Sequence, residues 1–278
     1  MSDTPNFPEE DLPEEEVTVI NAAEEPKPER GERIAKWLAR AGVASRRDAE
    51  ELLTRGKVRL NNVVIKHPAT FVTPGDLVTV GGKLIDEPER TRLWRYHKPD
   101  GLVTTHRDPE DRPTVFAKLP PTLPRVVSIG RLDLNSEGLL LLTNDGGLAR
   151  RLELPGTGWL RRYRLRVHGE VDPAELAALN KGVVVEGTRY GPIEAGLDSK
   201  KGENAWLTVS LREGRNREIR RVMNHLGLQV TRLIRIAYGP FQLGDLKRGE
   251  VEEVPAKVLR EQLPSDAGDA GAAPKRRR

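Results

Sequence analysis

A polar loop between two glycines contains the residue of this sequence best suited to acid–base or nucleophilic chemistry. Asp133 lies in a segment that begins at Gly130 and ends at Gly138. The leucine run Leu139–Leu142 that follows is typical of a buried strand, and a rigid strand beside a loop can hold a carboxylate in a fixed position. From the residues alone, two interpretations of Asp133 stay open. It is either a catalytic carboxylate or a turn residue whose side chain binds its own backbone.

The segment 213–227 combines an amphipathic helix pattern with a local excess of arginine. Its apolar residues recur at the spacing of one helical face, which predicts a helix over 216–226 with a cap at Asn216 and a stop at Gly227. The basic residues of this segment are Arg215, Arg217, Arg220 and Arg221. Arginines near the start of a helix oppose its dipole unless an anion lies opposite them. The pattern therefore favours a phosphate or carboxylate partner over a solvated basic face.

The segment 161–167 alternates apolar and basic residues, as expected of a strand with one buried face. Tyr163, Leu165 and Val167 share the apolar face, and arginines occupy the other. An aromatic ring beside basic side chains can stack on a nucleobase. A tyrosine at the edge of the core would produce the same pattern.

Other kinds of active site find no support in the sequence. The chain has no cysteine, which excludes disulfides and thiol nucleophiles and is compatible with a reducing cytoplasm. Its histidines lack the spacing of metal ligands, and it has no phosphate-binding glycine loop or dinucleotide fingerprint. We therefore expect no metal and no cofactor. Apolar runs are about as short as Leu139–Leu142, whereas a membrane helix needs about 20 residues, and the N-terminus does not resemble a leader, so we expect a cytoplasmic protein.

The distribution of charge indicates a polyanionic partner. The 278 residues carry a net charge of +4, but residues 1–30 alone carry −8 and the other 248 residues +12. Guanidinium groups bind phosphates through two parallel hydrogen bonds. Nucleic acid is therefore the favoured partner, although genome composition can also enrich arginine.

Composition divides the chain into four segments. Residues 1–30 are predicted to be a disordered acidic arm and residues 265–278 a disordered basic tail. Residues 31–86 are predicted to form a small α+β module, and residues 92–264 are predicted to form a second, larger unit. In the module, Ser45 and Asp48 resemble a helix capping box, while 61–62 and 81–82 predict tight turns between short strands.

The small module is dense in basic residues, which predicts an RNA-binding face, with an ordinary solvated surface as the alternative. The residues concerned are Arg33, Lys36, Arg46, Arg47, Arg55 and Lys57.

Strands and helices alternate irregularly in the larger unit. Predicted strands are Leu93–His97, Val126–Ile129, Leu139–Thr143, Tyr163–Val167, Val183–Val185, Trp206–Leu211 and Val230–Ile236. Predicted helices are Gly147–Glu153, Pro173–Leu179, Asn216–Leu226 and Ala256–Gln262. The uneven spacing argues against a regular parallel array and favours an α+β domain with a mainly antiparallel sheet.

Together, these motifs resemble bacterial ribosomal pseudouridine synthases of the RsuA/RluB type over about residues 32–263. The small module is similar to the RNA-binding domain first seen in ribosomal protein S-four. The matching segments, in order, are 41–50, 98–101, 111–115, 130–138 with its leucine continuation, and 213–221. The resemblance implies an α+β catalytic domain whose mixed, mainly antiparallel sheet has a central cleft. It also implies isomerisation of uridine to pseudouridine in ribosomal RNA, without a metal or cofactor.

The resemblance also implies roles for individual residues. Asp133 would be the essential carboxylate, and Arg220 would pair with it and keep it ionised. Tyr163 would stack on the uracil, and Arg131 would help to replace the flipped uridine in the RNA helix. Arg161 stands where the family usually has lysine, so the charge is kept but the donor geometry changes. The remaining late arginines would contact RNA.

The substrate implied by the resemblance is 23S ribosomal RNA, free or in an assembling large subunit. Residues 215–221 and 232–236 are more similar to the family's B branch, which modifies the RNA of the large subunit, than to the branch that modifies the RNA of the small one. We expect a monomer. The alternative function is a non-catalytic ribosomal RNA-binding assembly factor, and a polynucleotide hydrolase is a more distant one.

Overall fold

A computed structural model describes residues 31–263 of the chain. The predicted acidic arm 1–30 and basic tail 265–278 lie outside the described residues. Within 31–263, no helix is long and apolar enough to cross a membrane.

The N-terminal part packs two helices on small antiparallel sheets. Its elements are β1 (Glu32–Arg33), α1 (Ile34–Arg40), α2 (Arg46–Thr54), β2 (Val58–Leu60), β3 (Val63–Ile65), β4 (Phe71–Val72), β5 (Val78–Val80) and β6 (Lys83–Leu84). The strands form a pair, β1–β4, and a four-stranded sheet in the order β3–β2–β5–β6. A separate core, centred on Ile34, Leu38, Leu53 and Val58, joins the helices to the sheet.

Local chemistry accounts for the boundaries of these elements. The capping box at the start of α2 is confirmed, because the Ser45 hydroxyl accepts the Asp48 amide at 3.1 Å and the Asp48 carboxylate accepts the Ser45 amide. Asn61 and Asn62 both have positive φ, as a two-residue hairpin turn requires, and they join β2 to β3. The second predicted turn, at 81–82, joins β5 to β6. Both turns predicted from the sequence are therefore present.

The larger part is built on one nine-stranded sheet. Its strands are β7 (Leu93–Lys98), β8 (Val127–Ile129), β9 (Glu137–Thr143), β10 (Arg161–His168), β13 (Ile193–Lys201), β14 (Asn204–Leu211), β15 (Gln229–Tyr238), β16 (Phe241–Gln242) and β17 (Val251–Glu253). The remaining elements are α3 (Gly146–Glu153), α4 (Pro173–Ala178), the hairpin β11 (Val183–Val185) and β12 (Thr188–Tyr190), α5 (Glu218–His225) and α6 (Ala256–Gln262).

The sheet has the order β13–β14–β10–β15–β9–β7–β17, with β16 beside β15 and β8 beside β9. Every pair in it is antiparallel except β15–β9, which matches only Ile234 with Glu137 and Arg235 with Gly138. The prediction of a mixed, mainly antiparallel sheet is confirmed. The short parallel junction lies in the middle of the order and joins the two halves of the sheet.

The leucine-rich strand β9 is buried on both faces, as its sequence predicts. Leu140 and Leu142 belong to the core shared with α4 and α5, whereas Leu139 and Leu141 belong to the core beneath α3 and α6. Because both faces are packed, β9 is a rigid support for the loop that precedes it.

Four strands of the larger part, β12, β13, β16 and β17, are missing from the sequence prediction, and the start of one helix differs from it. The edge strand β13 is one of these strands: its apolar residues alternate only over the first half, at Ile193, Ala195 and Leu197, and its second half is polar and exposed. It pairs along β14 over its whole length. The late helix α5 begins at Glu218 rather than Asn216, because Arg217 adopts a left-handed conformation with φ of 51°.

Candidate active site

A cavity of about 460 Å³ lies where the loop before β9, the strands β10 and β15 and the start of α5 meet. Asp133 and Tyr163 both line it, so the tertiary structure brings together two residues that are 30 positions apart. Its basic lining residues are Arg131, Arg161, Arg215, Arg217, Arg220 and Arg235. Its acidic lining residues are Asp133, Glu153 and Glu218. The cavity is therefore positively charged, and its accessible carboxylates are those of Asp133 and Glu153.

Asp133 presents its carboxylate to this cavity, with 33% of the side chain exposed. The Arg217 guanidinium lies 3.8 Å from the Asp133 carboxylate. The left-handed backbone at Arg217 turns the chain just before α5, and this turn carries the side chain toward Asp133. The carboxylate thus has a cationic neighbour and remains accessible to a substrate.

The main chain of the Asp133 loop is held from below by a buried cation. Lys98, at the end of β7, is fully buried, and its Nζ donates to the carbonyl oxygens of Ser136 at 2.7 Å and Asp133 at 3.1 Å. It also donates to the carbonyls of Pro99 and Leu134. Burial lowers the pKa of Lys98 to about 8, against the opposing attraction of nearby carboxylates.

Arg220 does not form the ion pair with Asp133 that the family resemblance implies. Its guanidinium donates to the carbonyl of Asn135 at 2.7 Å and to that of Val230 at 3.0 Å, while Arg217 is the residue within ion-pair distance of Asp133. The cause is geometric, because the carbonyls of Asn135 and Val230 bind the Arg220 guanidinium. Burial and the charge of Arg217 lower the pKa of Arg220, and Asp133 opposes them.

Tyr163 and Arg161 extend from the same face of β10. Tyr163 is almost completely buried in the core, yet its side chain forms part of the cavity wall. Arg161 donates to the carbonyls of Arg212 and Glu213 and lies 4.9 Å above the Tyr238 ring. Some of the N–H groups of Arg161 are therefore already hydrogen-bonded within the protein, to the loop that precedes α5.

Two residues of the cavity wall are missed by the sequence analysis as functional candidates. Glu218 is 3% exposed; its Oε2 accepts the Arg215 amide at 2.9 Å, and its Oε1 has no hydrogen-bond partner within residues 31–263. Burial, with the charge of Glu213, raises the pKa of Glu218. Arg235 is also 3% exposed and donates to the Leu139 carbonyl at 2.7 Å.

A signal for these residues was present in the sequence. Arg235 is two positions after Leu233, so it falls on the buried face of an alternating strand. Glu218 is one position before Ile219, at the margin of the apolar face of α5. A charged residue at a position that the pattern assigns to the core is either paired there or lines a site.

The other predicted RNA-binding residues lie at different places. Arg131, Arg215 and Arg217 are exposed around the cavity, whereas Arg221 is exposed on α5 and does not line it. In the N-terminal part, Lys36 is partly buried, and the other predicted basic residues are exposed: Arg33, Arg46, Arg47, Arg55 and Lys57. Lys36 pairs with Glu32 at 2.8 Å, and Arg55 pairs with Glu51.

The arrangement suits chemistry on a nucleotide that has left its helix. A carboxylate, an aromatic wall and several guanidinium groups line one cavity. The carboxylate can act as nucleophile or base, the ring can stack on a planar base, and the guanidinium groups can bind phosphates.

Comparison with known proteins identifies the family. A family model described as RNA pseudouridylate synthase matches residues 92–225, and a model of the S4 domain matches residues 32–78. An RNA pseudouridine synthase of Rickettsia prowazekii is 48% identical over 232 residues, which are 83% of this chain and 97% of that protein. The chain belongs to the RNA pseudouridylate synthase family. The resemblance drawn from the sequence motifs is thereby confirmed.

Other members of the family are similar over most of the chain. Ribosomal large subunit pseudouridine synthase B of Haemophilus influenzae is 43% identical over 243 residues, covering 85% of this chain and 68% of that protein. The protein of the same name from Shigella flexneri is 40% identical over 259 residues, 89% of each chain. A crystal structure of a pseudouridylate synthase matches 83% of this chain and 98% of its own, with a TM-score of 0.57 and 25% identity.

Proposed function

We propose that this synthase isomerises uridine to pseudouridine in 23S ribosomal RNA, with Asp133 as the essential carboxylate. The observation that supports the proposal best is the accessible Asp133 carboxylate in a cavity with Tyr163 on its wall. The choice of the large-subunit RNA rests on the relatives named ribosomal large subunit pseudouridine synthase B. Family membership lends no support to a non-catalytic assembly factor.

The reaction rearranges one nucleotide without any net change in its atoms. The bond between uracil N1 and ribose C1′ breaks, the base turns, and C5 bonds to C1′. The proton on C5 is lost and N1 gains one. In the proposal, the Asp133 carboxylate acts on the ribose, as nucleophile at C1′ or as base toward the adjacent carbon.

In this proposal, the residues around Asp133 bind the uracil, balance the charge of the carboxylate and contact phosphates of the RNA. The Tyr163 ring, which is part of the wall, stacks on the uracil, and Arg217 opposes the charge of the carboxylate. Extrusion of a base costs a few kcal/mol, which stacking and phosphate contacts offset. Arg131 and Arg215, exposed at the cavity, supply such contacts.

The N-terminal part supplies further contacts to the RNA in this proposal. Arg46 and Arg47 are exposed at the start of α2, and Lys57 is exposed just before β2. These cations bind phosphates of the ribosomal RNA on either side of the modified nucleotide. We also propose that a monomer carries out the reaction.

Release of tritium from uracil C5 tests the proposed activity. The enzyme is incubated with 23S transcript that carries [5-³H]uridine, and the released tritium is counted. Asp133→Asn abolishes release but leaves most of the RNA affinity, because phosphate contacts dominate binding. The control is Asp245→Asn, which changes an exposed carboxylate outside the cavity and leaves release unchanged.

Mapping of pseudouridines in ribosomal RNA from a deletion strain identifies the site at the same time. We expect one or more 23S positions to lose the modification and to regain it with the wild-type gene but not with Asp133→Asn. If wild-type protein releases no tritium from any ribosomal RNA fragment, and the deletion strain keeps every pseudouridine, the proposed function is wrong.

A further inference from the structure

A second basic surface lies on a face of the large sheet that the catalytic cavity does not use. Trp206, Arg166 and Arg232 are directly opposite one another in register on β14, β10 and β15. Tyr163 and Leu165 point to the core side of β10, and because side chains alternate along a strand, Arg164 and Arg166 point away from it. We call Arg164, Arg166, Arg232, Arg248 and Trp206 the arginine face.

The indole of Trp206 is held between basic side chains. The Arg164 guanidinium lies 4.8 Å from the centre of the ring and that of Arg232 lies 6.0 Å from it. Trp206 is only partly buried, although it is a large apolar side chain on a strand. Indole and guanidinium planes both stack on nucleobases. The arginine face is therefore a cationic surface with planar groups on which nucleobases can stack.

Two depressions lie along the arginine face, and one of them shares a lining residue with the catalytic cavity. One, of about 390 Å³, is lined by Arg166, Ser199, Lys201, Asn204 and Trp206. The other, of about 570 Å³, is lined by Asp100, Asn135, Glu137, Arg166, Arg220, Val230, Thr231, Arg232 and Arg248. Arg166 lines both depressions, and Arg220 lines the second depression and the catalytic cavity. Basic side chains therefore line the cavity and both depressions, and Arg220 and Arg166 are the residues that they share.

The charges of the arginine face are only partly neutralised by the protein. Glu137 accepts from Arg232 at 2.5 Å and pairs with Arg248 at 2.8 Å, so one carboxylate serves two guanidinium groups. Arg164 lies 3.7 Å from Asp198. In the part of the chain that the structure describes, no carboxylate lies within 4.0 Å of Arg166. The central residue of the row is thus an exposed cation.

We propose that the arginine face binds a segment of the substrate RNA outside the modified nucleotide. Phosphates of this segment contact Arg166 and Arg248, and one base stacks against Trp206. The inference deepens the proposed function, because it takes RNA as the substrate class. Charge alone would also suit an acidic protein, but the exposed indole among guanidinium groups favours a polyanion that contains planar bases.

Binding measurements at several salt concentrations test the inference. The probe is the 23S transcript fragment that wild-type protein binds most tightly. Arg166→Ala raises Kd and reduces the slope of log K against log salt by about one, as for the loss of one phosphate contact. Arg166→Lys, which keeps the charge, keeps the slope. The matched control is Arg189→Ala, an exposed arginine on β12, which leaves Kd and slope unchanged.

Variants of Trp206 test the contribution of stacking to RNA binding separately from that of charge. Trp206→Leu raises Kd about five-fold or more without changing the salt slope, and Trp206→Phe recovers most of the affinity. Circular dichroism verifies that each variant is folded. Wild-type Kd and slope in both Arg166→Ala and Trp206→Leu would overturn the inference. RNA binding does not require turnover, so unchanged binding by both variants, with wild-type protein that releases tritium, would refute only the role of the arginine face. The proposed function fails separately, if wild-type protein releases no tritium and the deletion strain keeps every pseudouridine.

Discussion

The buried ammonium group of Lys98 donates a hydrogen bond to the main-chain carbonyl of Asp133, at 3.1 Å. A shorter bond of 2.7 Å reaches the carbonyl of Ser136, so the same group holds the loop that presents the Asp133 carboxylate at two positions. Lys98 touches no part of the cavity itself and is therefore a positioning residue. Its position at the end of β7 transmits the rigidity of the sheet to the loop.

Replacement of Lys98 is expected to lower kcat rather than RNA affinity. Lys98→Met leaves the carbonyls of Asp133 and Ser136 without their donor, so the loop loses its fixed conformation while the arginines of the cavity remain. We expect kcat to fall at least about ten-fold, because small misplacements of reacting groups are costly. Steady-state tritium release at saturating RNA measures kcat, and filter binding measures the RNA affinity. Lys118→Met, at an exposed site, is the control, and an equal rise in Kd would contradict the positioning role.

The pKa of Lys98 also predicts a dependence of stability on pH. Burial lowers that pKa from 10.5 to about 8, so between these values the unfolded chain binds a proton that the folded protein does not. The free energy of unfolding of wild type, relative to that of Lys98→Met, therefore rises as the pH rises from about 8 to 10.5. The whole rise amounts to at most about 3 kcal/mol, so the relative stability below pH 8 is lower than that above pH 10.5 by this amount. Urea unfolding of both proteins at pH 7 and pH 10 measures it. A difference that is constant with pH would refute the prediction.

Arg217 and Arg220 are expected to differ in what their loss affects. Arg220→Ala leaves the carbonyls of Asn135 and Val230 without their donor and lowers the free energy of unfolding by about 1–3 kcal/mol. Arg217→Ala removes a half-exposed partner of Asp133, and such pairs contribute about 0–1 kcal/mol. Urea unfolding compares the two variants. Equal losses would show that the hydrogen bonds of Arg220 do not hold the loop.

Gly138 is expected to be irreplaceable for steric reasons. Its φ is +102°, and a Cβ atom would collide with the Arg235 carbonyl and lie 2.7 Å from the Arg235 nitrogen. The atoms that the Cβ would meet belong to the backbone of β15 at the parallel β9–β15 junction, so no side-chain movement can relieve the contact. Gly138→Ala should lower the melting temperature by about 8 °C or more. Gly146→Ala, where a Cβ meets nothing within 4 Å, is the control, and similar shifts in both variants would contradict this reason.

The raised pKa of Glu218 leads us to expect a second dependence of stability on pH, in the pH range near and above the ordinary pKa of a carboxyl group. Burial raises the pKa of Glu218, so the folded protein binds a proton more tightly than the unfolded chain does. Its contribution to stability is complete below the ordinary glutamate pKa and is lost as pH rises through the raised value. Wild type should therefore lose stability relative to Glu218→Gln as pH rises from 4 to 8. Glu170→Gln, at an exposed position, should show no such trend in urea unfolding.

Several elements of the fold were predictable because they depend on neighbours in sequence. The capping box of α2, the hairpin turn at 61–62, the buried strand β9 and the apolar face of α5 each follow from residue types at short spacing. The strand β13 was not predicted, since its residues mark a buried face only at its start and its second half is polar and exposed. It is a strand because β14 offers it a ladder of hydrogen bonds.

The candidate site shows the same division. The motif around Asp133 and the basic segment before α5 are local, and their residue types and order are enough to indicate the family. The partner of Asp133 was not predictable in this way: Arg217 and Arg220 are three positions apart, and only the left-handed turn at Arg217 and the two carbonyls that bind Arg220 decide which of them reaches the carboxylate.

The amino-acid sequence by itself determined the fold class, the family and the residues that carry the chemistry, because these depend on residue type and short-range order. Only the tertiary structure decided that Lys98 lies under the loop, that Arg217 faces Asp133 and that Arg166 stands in a row with Trp206. Each of these relationships joins side chains from different strands or loops. Their distances depend on how the sheet pairs and packs, which no local pattern records.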